Sequence, residues 1–75
     1  MDKPALLEQL ARIEKQIAKG DMVIARQKKV ILDLEHNGYT VTDAKRFLRQ
    51  LEDMHAVNVA QRCKIEVELA ETILG

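Results

Sequence analysis

Residues 6–34 read LLEQLARIEKQIAKGDMVIARQKKVILDL, and the spacing within this stretch decides the fold. Leu6, Leu10, Ile13, Ile17, Gly20, Ile24, Gln27, Ile31 and Leu34 recur at intervals of four and three, and all but Gly20 and Gln27 are Leu or Ile. On a helix these positions form one narrow stripe, the seam of a helix that packs lengthwise against another. Gly20 is the weak point of the stripe. A glycine inside a helix costs about 1 kcal/mol against alanine, and Gly20-Asp21 could end one helix and start the next. The register argues for continuity, because the positions before and after Gly20 keep a single phase.

The first helix is predicted over about 4–36. Pro4 suits the opening turn, where its missing N–H removes no bond, and Asp2 faces the positive end of the helix dipole. Asn37-Gly38 supplies the stop, with Gly38 able to take positive φ as the C′ residue of a Schellman motif and Leu34 and Tyr39 as its apolar pair. A turn over 37–40 follows. Thr40-Val41-Thr42-Asp43 fits a capping box with Thr40 at the N-cap and Thr42 as its competitor. From there Ala44, Leu48, Leu51, Ile65, Leu69 and Ile73 keep a helical apolar face over about 41–73. The expected fold is all-α: one domain over 1–75, a long antiparallel two-helix hairpin.

Such a hairpin is small for its own core, at a size where burial barely offsets chain entropy. Its apolar surface is also wider than one seam requires. Val23, Val30 and Leu7 flank the stripe of the first helix, and Phe47, Met54, Val57 and Ala70 widen that of the second. This breadth predicts that two hairpins dimerise into a four-helix bundle. Leu10, Ile13, Ile17, Ile24, Ile31, Leu48, Leu51, Ile65 and Leu69 are the candidate oligomer interface. Charge suggests how the copies lie. Residues 26–50 carry six cations against three carboxylates, whereas residues 51–75 carry two against five. Turns at opposite ends would place unlike charges together, setting orientation more than stability.

The middle of the hairpin is polar where a seam should be apolar. Gly20 and Gln27 interrupt the first helix, and His55, Asn58 and Arg62 continue the Leu48–Leu51 stripe on the second. One reading is a central pocket in which Gly20 makes room for an imidazole or a ligand. Another is a polar layer that fixes register. A third rotates the second helix, turning Met54, Val57 and Cys63 inward and leaving Arg62 in water.

Composition narrows the chemistry. The chain has one Phe, one Tyr, no Trp and no serine, so it offers neither a stacking platform for bases nor a serine nucleophile. His36, His55 and Cys63 share no metal-ligand spacing, and Cys63 has no histidine three or four residues away to activate it. No catalytic residue, metal site or cofactor is expected. The lone cysteine suits a reducing compartment, and the segment Met1-Asp2-Lys3-Pro4 has no signal-peptide pattern. With no long apolar run either, the expected location is the cytoplasm, away from the membrane.

Arg26, Lys29, Lys45, Arg46 and Arg49 cluster around the turn and are the candidate partner surface. The expected role is a non-enzymatic homo-oligomeric adaptor or regulator acting through protein–protein contacts. The alternative is a nucleic-acid-binding hairpin like the plasmid copy-number protein Rop, using the same cations. Overall charge balance, with 12 basic and 12 acidic side chains, favours the former. Finally, the segment from Gly20 to Leu69 resembles a group of short, uncharacterised alphaproteobacterial helical-hairpin proteins. The resemblance is carried by Ile24-Ala25-Arg26-Gln27, Leu34, Gly38, the Thr40–Ala44 cap, Leu48, Leu51-Glu52 and Arg62. It implies the hairpin and no activity, cofactor or substrate.

Overall fold

A computed structural model describes residues 2–74. Two helices pack side by side along their whole length: α1 over Lys3–His36 and α2 over Thr42–Leu74. The molecule is a rod measuring 58 × 15 × 13 Å. A helix of 34 residues rising ~1.5 Å each spans about 51 Å, so the rod is little longer than one helix. The first helix runs unbroken through Gly20. No helix among the described residues is long and apolar enough to cross a membrane.

Both ends of α1 are closed by the local sequence. Asp2 is the N-cap, and its carboxylate accepts from the Ala5 N–H at 3.0 Å. Pro4 occupies the first turn, where no intrahelical N–H bond is lost. At the other end Gly38 takes φ +78. Tyr39 N–H donates to Leu34 O at 2.9 Å and Gly38 N–H to Glu35 O at 3.1 Å, the paired bonds of a Schellman motif. The Asn37 side-chain amide adds a 2.7 Å bond to Asp33 O. Tyr39 itself stays largely exposed, so its ring adds little apolar contact to the motif.

A β-carbon on Gly38 would meet nothing within 4 Å. Gly38→Ala therefore isolates the backbone cost of the left-handed conformation, expected at about 1 kcal/mol. Urea denaturation measures it, and an unchanged midpoint would mean that the turn does not need positive φ.

The second helix starts differently from its sequence. Lys45 N–H bonds to Val41 O at 2.8 Å, so Val41 stands at the N-cap in place of Thr40 or Thr42. The Asp43 carboxylate reaches forward to Arg46 Nη1 at 3.4 Å, not back to the cap. Val41 is half-buried on the line that continues through Ala44 and Leu48. Seating that side chain in the seam has displaced the threonine caps, each worth about 1 kcal/mol.

The core lies toward the open end of the hairpin. Leu6, Ile13, Ile17, Ile65 and Leu69 form one buried cluster, joined by the half-buried Leu10 and Val59. Ile31 is buried nearer the turn. The 4-3 stripe of α1 is the intrachain seam at every position from Leu6 to Leu34, each buried or half-buried.

Candidate functional site

Three polar interruptions of the seam have partners or a packing reason. Gln27 Nε2 donates across the hairpin to Ala44 O at 3.1 Å, tying the last turns of α1 to the start of α2. Halfway along, His55 lies against Gly20. An ideal β-carbon at residue 20 would sit 2.6 Å from His55 Nδ1 and 3.3 Å from Cε1. His55 Nε2 is 2.9 Å from Asp21 Oδ1, a bond in which the ring nitrogen donates to the carboxylate. Arg62 Nε pairs along its own helix with Glu66 Oε1 at 3.6 Å.

Gly20 thus makes room for an imidazole of the same chain. His55, Asn58 and Arg62 are half-buried in the seam, whereas Met54, Val57 and Cys63 face outward, so α2 is not rotated to bring them in. Asp21 is the member of this layer that sequence reasoning passed over. Its signal was its place one residue after Gly20, opposite the histidine in an antiparallel hairpin. The imidazole offers no open nitrogen to a bound molecule. Nε2 is held by Asp21, and Nδ1 is buried without a hydrogen-bond partner where a β-carbon would otherwise be. The layer aligns the helices and leaves the flanks of the seam to any partner.

The seam has two such flanks, and they differ. Side chains one residue after a seam position line one side of the rod: Lys28, Leu32, Thr42, Lys45, Arg49 and Glu52, with Ile31 and Leu48 as floor and Arg46 at the edge. This open groove near the turn runs on into a second depression containing Asp21, Ile24, Ala25, His55 and Ala56, sharing Lys28 and Glu52. Side chains one residue before a seam position line the opposite side, where Gln9, Gln16 and Gln61 gather with Arg12.

The groove near the turn gathers three of the five cations expected at a partner surface. Lys45, Arg46 and Arg49 line it together with Lys28. Arg26 and Lys29 are exposed elsewhere on α1 and do not line it. Lys45 pairs with Glu35 at 3.7 Å and Arg46 with Asp43 at 3.4 Å, both as exposed contacts worth little. Lys28 and Arg49 have no ion pair among the described residues.

The nine side chains expected at an oligomer interface, Leu10, Ile13, Ile17, Ile24, Ile31, Leu48, Leu51, Ile65 and Leu69, all lie in the seam between the two helices of one chain. A second copy would have to meet the apolar groups outside it, including Val23, Val30, Phe47, Met54 and Val57. Among the described residues no cluster of three or more His, Cys, Asp or Glu side chains could hold a metal ion. No protein family, curated protein or solved structure matches the chain.

Proposed function

We propose that this hairpin is a non-enzymatic adaptor or regulator that acts as a homodimer in the cytoplasm and recognises an acidic, partly apolar protein segment through the groove beside its turn. The observation that carries this reading is the pairing of apolar side chains, Ile31 and Leu48 on the floor and Leu32 on the wall, with a rim of four cations, Lys28, Lys45, Arg46 and Arg49, against the one carboxylate of Glu52. Apolar floors favour amphipathic segments, which bury an apolar stripe and keep charge at the edge. The unpaired Lys28 and Arg49 supply a rim that selects acidic flanks and speeds encounter more than it tightens binding. A nucleic-acid backbone would use the cations but leave Leu32 and Leu48 idle, and no aromatic side chain lines the groove to stack a base.

Capture from cell extract, with and without nuclease, tests the choice. A protein partner is expected to be retained after nuclease treatment and lost with Lys28→Glu combined with Arg49→Glu. Raising salt from about 50 to 200 mM should weaken it only a few-fold, against the 10³-fold or greater loss typical of six or more phosphate contacts. Recovery of RNA or DNA that the same double variant abolishes would give the site to the Rop-like alternative.

A further inference from the structure

The face opposite the cationic groove carries an apolar patch, formed by the residues that precede seam positions. Val23 precedes Ile24, Val30 precedes Ile31, Phe47 precedes Leu48 and Met54 precedes His55. This is the rule that places Gln9, Gln16 and Gln61 together on that side farther from the turn. All four are exposed, Val23 and Val30 at 41%, Phe47 at 49% and Met54 at 66%. Residues seven apart on a helix share a face, so the patch is a two-by-two array whose centre lies about 18 Å from the turn of a 58 Å rod.

Resting on the homodimer reading above, we infer that this patch is the dimer interface, and that two copies meet across it in an offset antiparallel register. A two-fold axis through the centre of the array sets Val23 against the second copy's Val30 and Phe47 against the second copy's Met54, the self-complementary pattern an isologous contact requires. Charge at the ends of the array favours this arrangement, against one pair at its centre, where Arg26, which precedes Gln27, comes near its equivalent in the second copy. Lys19 and Asp33 precede Gly20 and Leu34, so they border the same face at either end of the array. With the turns opposed, each Lys19 stands beside the second copy's Asp33. With the turns together, Asp33 would instead meet the second copy's Asp43 at the same distance from the turn. An end-to-end antiparallel overlap would place the patch against the glutamine-lined stretch. In the offset register the cationic groove stays open on the outside of each copy.

Cys63 is the chain's only cysteine and is exposed, so a nitroxide label on the native thiol reads the register directly. The offset arrangement separates the two labels by about 40 Å along the rod, whereas full overlap or aligned turns brings them within about 25 Å. Sedimentation equilibrium supplies the second readout. Lys19→Asp is expected to weaken the dimer at least several-fold, and Lys19→Asp combined with Asp33→Lys to restore it. Phe47→Glu should leave a monomer whose helical circular dichroism is retained. A dimer with the short label separation, or one indifferent to the charge swap, overturns the face and register while leaving a homodimer in place. A compact monomer at high micromolar concentration overturns both.

Discussion

Ile17→Asp is expected to abolish the folded hairpin at room temperature. Ile17 is 6% exposed and belongs to the buried cluster with Leu6, Ile13, Ile65 and Leu69. An unpaired carboxylate there costs several kcal/mol, beyond the methylenes lost. A core in a chain this short rarely supplies more than about 3–5 kcal/mol. The helical signal in circular dichroism should therefore fall to that of a largely unfolded chain. Ala18→Asp places the same charge one residue later on the exposed side of α1. It should cost no more than the lower helix propensity of aspartate, about 0.7 kcal/mol. If the two variants melt alike, the seam assigned to α1 is wrong.

Gly20→Ala should change sign with its background. Alanine normally stabilises a helix interior by about 1 kcal/mol over glycine. Here the added methyl would fall 2.6 Å from His55 Nδ1, closer than real β-carbons approach a neighbour. The ring must then leave Asp21 or the helices must part. In the wild-type background Gly20→Ala is expected to destabilise by about 1–3 kcal/mol, the range for overpacking. In a His55→Ala background the same substitution should stabilise by up to about 1 kcal/mol. Urea denaturation of the four proteins gives the coupling directly. Additive effects would show that the glycine and the histidine are independent.

The Leu6–Leu34 stripe determined the seam because a sustained 4-3 spacing has one geometric solution. Asn37-Gly38 determined the turn because only a left-handed residue closes the last carbonyls of α1 so compactly. The start of α2 was less readable. Two threonines and an aspartate favour a capping box locally, but the gain from one hydroxyl is about 1 kcal/mol, and burying Val41 competes with it. The Asp21–His55 bond was hidden for another reason. It joins residues 34 positions apart, and their meeting depends on the register set by the turn. The difference between the two flanks follows from the same dependence. Only once the helices are antiparallel do Lys28 and Lys45 share one side, while Gln16 and Gln61 share the other.

The polar layer, the cationic groove and the apolar patch all rest on Gly20 lying opposite His55. A nuclear Overhauser spectrum of the intact protein tests this most directly. A through-space cross-peak is expected between an α-proton of Gly20 and the Hε1 proton of His55, because Cε1 lies 3.3 Å from the β-carbon position at residue 20. The sequential amide contacts of a continuous helix should run unbroken through Gly20 and Asp21. A His55 ring that shows contacts to Ile13 or Ile31 but none to Gly20, or a break in the helical pattern at residues 20 and 21, would contradict the register and everything built on it.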